Sequence, residues 1–169
     1  MRYLLILFLC ITPFAPSHAS QQMIDIIMSI KIEGIGVSTS VEDARPILIE
    51  NGYEEGLSSR RSTRFTKGIC YIEIGHMMST SMLKYNCDGS NPDADAVIIK
   101  ALEDLCAAEG SGQDDRAGCS PPNLQTNMNR RENFQVMADE GKYTANIVDN
   151  HSNSGPRKRY IDIITLIRK

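Results

Sequence analysis

This chain has no tryptophan, only three histidines and few aromatics, 6% of 169 residues. A sugar-stacking groove needs flat aromatic faces, so none is suggested. The chain has no G-x-S-x-G elbow, no H-E-x-x-H helix and no phosphate-cradling glycine loop. The enzyme classes that announce themselves by such motifs are therefore not implied. Positive charge is not in excess: Lys and Arg number 18 against 21 Asp and Glu, a net charge of −3. That gives no electrostatic reason to expect a nucleic-acid partner. Long apolar runs are missing too. After the N-terminal stretch nothing approaches the roughly 20 apolar residues a membrane-spanning helix needs.

What is present begins with an export signal. Residues 1–19 read MRYLLILFLCITPFAPSHA. Arg2 supplies the positive start, Tyr3 to Thr12 an uncharged apolar core, and Ser17-His18-Ala19 the small residues that precede a cleavage site. Pro13 and Pro16 interrupt the run, so it is too short for a membrane anchor. Cys10 follows Leu9 inside the apolar core, whereas a lipid-acceptor cysteine follows a small residue. The expectation is cleavage after Ala19, release to the periplasm or the exterior, and a single domain over residues 20–169. Loss of one Arg and no acid would take the net charge from −3 to −4. A chain of that size can bury a real core.

Four cysteines remain after the leader: Cys70, Cys87, Cys106 and Cys119. An even number in an exported chain favours disulfides, and four allow three connectivities. One stretch narrows the choice. If Cys70–Tyr71–Ile72–Glu73–Ile74 pairs antiparallel with Leu83–Lys84–Tyr85–Asn86–Cys87, a single register satisfies everything together. Cys70 then faces Cys87, Ile72 faces Tyr85 and Ile74 faces Leu83 on one side. Glu73 faces Lys84 and Tyr71 faces Asn86 on the other. A slip of one residue destroys every match. The preferred pairing is Cys70–Cys87, with Cys106–Cys119 pinning a Gly/Asp/Pro-rich loop to a helix end.

The remaining elements follow from period and punctuation. Ile24 to Ile32 alternates, with Ile26, Met28, Ile30 and Ile32 on one side, which predicts a strand. Thr39 with Glu42, or Ser40 with Asp43, fits a capping box for a helix over 41–50. Gly52 offers its left-handed exit, and Pro46 inside it predicts a kink or a short first turn. Residues 54–62 are polar and read as a loop; Ser62 to Lys67 reads as a strand. Asn91-Pro92 opens a second helix, with Asp93 and Asp95 in its first turn. Ala94, Val97, Ile98, Ala101, Leu102, Leu105 and Cys106 form its buried stripe, up to Gly110. Residues 133–136, 143–148 and 160–167 read as strands, the first two joined by a turn at Asp139-Glu140-Gly141. The fold class is α+β: two main helices on one face of a mostly antiparallel sheet of five to seven strands.

Candidate ligating groups are few. His76 with Met77, Met78 and Met82 offers the soft donors copper(I) takes in an oxidising compartment. The hairpin register argues against it, because His76 shares a face with Ile74 while Met82 points the other way. Asp88, Asn91, Asp93 and Asp95 are oxygen-rich, but a turn and a helix cap explain them, and the EF-hand pattern is missing. Cysteine spacings of 17, 19 and 13 contain no close pair of the kind zinc sites use. Arg60, Arg61, Arg64 and Lys67 form a basic cluster, echoed by Arg157-Lys158-Arg159, that suits an anionic partner or simply a solvated loop. No cofactor is implied.

The stretch IKIEGIGVSTSVEDARPILIENGY, residues 30–53, resembles the opening of small bacterial periplasmic α+β modules. In the outer-membrane assembly lipoproteins of the BamE-like type, and in β-lactamase-inhibitor-like modules, a strand gives way to a Gly turn, a Ser/Thr cap, a short helix and a Gly-aromatic exit. The resemblance implies a binding or assembly module rather than an enzyme, acting on another envelope or extracellular protein. It brings no site residues with it. The alternatives are a small exported hydrolase with an unrecognised site, possible with His76 or His151, and a copper carrier.

Overall fold

The computed structural model describes residues 18–77, 79–89, 91–108, 130–150 and 158–167. The expected leader core, the loop holding Cys119, the segment with His151 and Arg157, and Met78 lie outside these residues.

The first element corrects an expectation. Residues His18–Ser29 form a helix, α1, and only Lys31–Ile32 (β1) and Ile35–Gly36 (β2) are extended, paired as a small antiparallel ribbon. The apolar residues at 23, 24, 27 and 30 are buried, whereas Ile26 and Met28 are only partly so. That stripe advances by threes and fours, so it fits a helix as well as the alternation fits a strand. Tertiary packing decides: α1 lies against the later helix Pro92–Ala108 (α3) and the sheet behind it.

Helix α2 spans Val41–Glu50 as the caps predict. Of the two candidate boxes, Ser40 is the cap: its hydroxyl accepts from the Asp43 N–H at 3.1 Å. Such a cap contributes about 1 kcal/mol. The helix continues through Pro46 to its end. There Gly52, at φ +83°, closes a Schellman motif. Tyr53 N–H donates to Leu48 O at 2.8 Å and Gly52 N–H to Ile49 O at 2.9 Å.

The strands β3 (Glu54–Ser58), β4 (Ser62–Lys67), β5 (Cys70–Met77), β6 (Thr80–Cys87), β7 (Arg130–Ala138), β8 (Gly141–Asn150) and β9 (Lys158–Ile167) make one antiparallel sheet in the order β3-β4-β5-β6-β9-β8-β7. β3 was expected to be loop. All five of its residues are exposed, so it carries no alternation to read; it exists because β4 offers an open edge, with a bulge between Glu55 and Ser58. The β5–β6 hairpin has the expected register throughout, and Cys70 and Cys87 form a disulfide across it. The second expected bond involves Cys119, outside the described residues. The turn after Ala138 also falls where predicted.

Sheet parity settles which side is covered. Phe65, Ile72, Tyr85, Ile161 and Ile147 align across the strands on one face, and Thr63, Ile74, Leu83, Ile163, Ala145 and Phe134 in the next row. All of these except Thr63 form one core cluster with residues of α1, α2 and α3. Every sheet residue in that cluster comes from this face and none from the other. The molecule is an α+β domain with its helices on one side of the sheet.

One corner of the covered face is polar. Cys70, Cys87 and Arg159 are register neighbours there. Arg159 is 4% exposed and forms an ion pair with Asp95, 6% exposed, from the first turn of α3. Neither was expected inside: Asp95 read as a dipole-facing acid and Arg159 as part of a solvated basic run. Next to them Asn91 Nδ2 donates to Glu33 Oε1 at 2.8 Å, and Tyr53 Oη donates to the same oxygen at 3.2 Å. Glu33 sits at φ +52° in the β1–β2 turn, an uncommon conformation for a residue with a side chain. Asn51 Nδ2 holds its carbonyl at 3.2 Å. Glu33 thus ties the ribbon to the end of α2 and the start of α3. Burial, with Asp95 and Glu33 nearby, pushes the Tyr85 hydroxyl up to about 12, although its hydrogen bond with Asn91 pulls the other way.

Candidate functional site: the open face of the sheet

The face without helices carries its own order. One row reads Arg64, Glu73, Lys84, Asp162, Asn146 and Asn133 across six strands; the adjoining row places Tyr71, Asn86, Tyr160 and Val148 side by side. Arg64 Nη2 meets Glu73 Oε2 at 2.9 Å, and the Ser62 hydroxyl donates to the other Glu73 oxygen at 2.7 Å. The Arg64 guanidinium lies 4.3 Å from the centre of the Tyr71 ring, a cation–π distance. Lys84 Nζ stands 3.8 Å from Asp162 Oδ2, which also accepts from Tyr160 Oη at 2.9 Å. Partial burial pushes the Glu73 carboxyl up. The Ser62 hydroxyl, Arg64 and Lys84 outweigh it, so its pKa sits below the ordinary value. The charges on this row are thereby matched in pairs.

Towards the hairpin tip the face turns apolar. Gly75, Met77, Met82 and Ile164 line a groove of about 300 Å³, with Ser62, Thr80 and Arg61 completing its walls. All the strand residues in it belong to the open face by register. Gly75 has little room for a side chain: a Cβ there would lie 2.9 Å from Arg61 O and 3.1 Å from Met82 Cε. Met77, Leu166 and Met137, at 42%, 42% and 53% exposure, extend the apolar surface along the end of the sheet. A second cleft, of about 230 Å³, runs between α1 and α3 over Ile26, Ile30, Val97 and Ala101. The Lys100 beside it is already paired with Asp104 at 2.8 Å.

The expected site residues are distributed rather than gathered. Met77 and Met82 do share a face, while His76 takes a register position on the opposite, covered one, opposite Ser81. The four basic residues separate: Arg64 and Lys67 have opposite parity on β4, and Lys67 Nζ donates to Asn51 O at 2.8 Å. Arg60 and Arg61 are exposed in the β3–β4 turn. Of the oxygen-rich run, Asn91 caps α3 and Asp95 is spent on Arg159, and among the described residues no group of three His, Cys, Asp or Glu side chains is placed to hold a metal. Sequence reasoning missed the groove. The parity of Met77 and Met82 was available from the hairpin register. Ile164 was not, because β6–β9 pairing sets it opposite Met82, 82 positions earlier in the chain.

Comparison with protein families, with characterised proteins and with solved structures gives no match.

Proposed function

We propose that this protein is an extracytoplasmic, non-enzymatic binding module that meets its partner with the open face of the sheet. One observation carries the reading: a seven-stranded sheet sends every core side chain to one face, leaving the other with ordered charge pairs, tyrosines and an apolar groove. An apolar groove beside ordered polar groups is what binding surfaces present. Export is supported by the leader's order and by the Cys70–Cys87 bond, which persists in oxidising compartments. Met23, Ile24 and Ile27, the buried side chains described in α1, all lie beyond the expected cleavage point. The resemblance of residues 30–53 to envelope assembly modules points the same way.

The test places a photo-crosslinking residue at Asn86 or Tyr160 on the open face, or at Glu103 on the exposed side of α3, in living cells. The expected outcome is a single discrete adduct from the open-face positions only, on a chain whose N-terminus is Ser20. Equal labelling from both sides, or a native chain that still begins at Met1, would overturn the reading.

A further inference from the structure

We propose that the Cys70–Cys87 bond is a redox-sensitive site: a small external thiol opens it by attack at Cys70, and the Cys87 thiolate released is received by Arg159. This site lies at the polar corner of the covered face and does not depend on the open-face reading.

The bond is reachable from one end. Cys87 is fully buried, whereas Cys70 is only partly so and directly follows the exposed turn residues Gly68 and Ile69. An attacking thiolate therefore meets Cys70 Sγ and expels Cys87. The bond also sits between two cations. Lys67, Cys70, Cys87 and Arg159 are register partners on the successive strands β4, β5, β6 and β9, so all four share one face. Side chains opposite one another on neighbouring strands start about 5 Å apart. Lys67 is exposed, its Nζ donating to Asn51 O at 2.8 Å, and its charge attracts an anionic thiolate to the open end. Arg159, opposite the leaving Cys87, is buried, and a neighbouring guanidinium favours the thiolate form. A thiolate that is better stabilised leaves faster. The surroundings then respond. Asp95 shares Arg159, so a thiolate at Cys87 gives that guanidinium a second anion and weakens its hold on α3. The Tyr85 hydroxyl, already donating to Cys70 Sγ at 3.9 Å, stays beside the other sulfur.

The exchange balances with a monothiol such as glutathione. Its thiolate bonds to Cys70 Sγ, the Cys70–Cys87 bond breaks, and the electron pair leaves on Cys87 Sγ. A second glutathione thiolate attacks the glutathione sulfur of the mixed disulfide and releases the Cys70 thiolate. Two thiols are oxidised to one disulfide, the protein bond gains two electrons, and the protons lost by glutathione pass to the cysteines. The experiment exposes the full chain to reduced glutathione without denaturant, quenches in acid and maps the products by mass, with thermal melts to confirm folding. The bond should open while the fold persists, with the transient adduct on Cys70. Arg159→Gln should slow opening about tenfold and Lys67→Gln about twofold, while Arg159→Lys stays within about twofold of the native rate. Lost stability alone does the opposite, because local unfolding uncovers the bond and speeds its reduction. Slowing therefore separates a role in exchange from one in packing. If Arg159→Gln does not fold, Lys67→Gln, at the exposed end, decides. An adduct on Cys87, opening only where urea unfolds the chain, or folded variants that open as fast as the native chain would each overturn the proposal.

Discussion

Ion pairs on the two faces of this sheet are built from the same chemistry and do different things. Asp95–Arg159 lies under the helices, with side chains 8% and 5% exposed; Arg64–Glu73 lies on the open face, with side chains 45% and 17% exposed. The covered pair is shielded from water, so its attraction is little screened. The open pair still has solvent on the arginine side, and its attraction is screened. The covered pair therefore fixes where α3 docks on β9, and the open pair keeps a surface neutral and ordered without holding the fold together.

Removing one partner from each pair sharpens the contrast. Asp95→Ala takes one carboxylate away from the buried Arg159 guanidinium and should cost about 3–5 kcal/mol in urea unfolding. Replacing both partners with apolar residues, Asp95→Leu with Arg159→Met, should recover most of that loss. If the single and double variants unfold alike, the pair is not what positions α3. The neighbouring Cys70–Cys87 bond closes a short loop at the same corner. Its removal by Cys70→Ala with Cys87→Ala should cost about 3 kcal/mol, read as a lower denaturation midpoint.

On the open face the effects should be small. Glu73→Gln should cost at most about 1 kcal/mol at neutral pH, because Arg64 is 45% exposed and the pair is screened. Its signature is in the pH dependence. The Glu73 pKa lies below its usual 4.5, so the pair stabilises above that value and the contribution disappears as pH falls through the lowered pKa. The stability of Glu73→Gln should therefore fall less than that of the native chain on going from about pH 5 to pH 3. A change larger than that of Asp95→Ala would reverse the ranking of the two faces. Smallest of all, Ser40→Ala should cost about 1 kcal/mol or less by removing the cap of α2, far from either pair.

Much of this architecture was legible because its signals are local. Ser40 and Gly52 bracket α2, and Asn91-Pro92 opens α3, through hydrogen bonds made within a few residues. The β5–β6 register was over-determined: two cysteines, an apolar row and a charge pair agreed on one alignment. The α1 segment was ambiguous. Its dense isoleucine and methionine content satisfies both a period of two and a period near 3.6, and nothing within the segment breaks the tie. β3 had no pattern, since an edge strand exposed on both faces has no buried side to mark it.

The candidate site was less legible than the fold for a physical reason. The sequence by itself determined an α+β fold with a crosslinked hairpin, since caps, turns and cross-strand pairs within one hairpin are short-range interactions. Only the tertiary structure decided that residues 18–29 coil into a helix, that Asp95 and Arg159 meet in the interior, and that Arg61, Met82 and Ile164 border one groove. Those outcomes depend on which face the helices cover and on strands joined across long stretches of chain. Free energies of that kind belong to the packed assembly and are not written in any one segment.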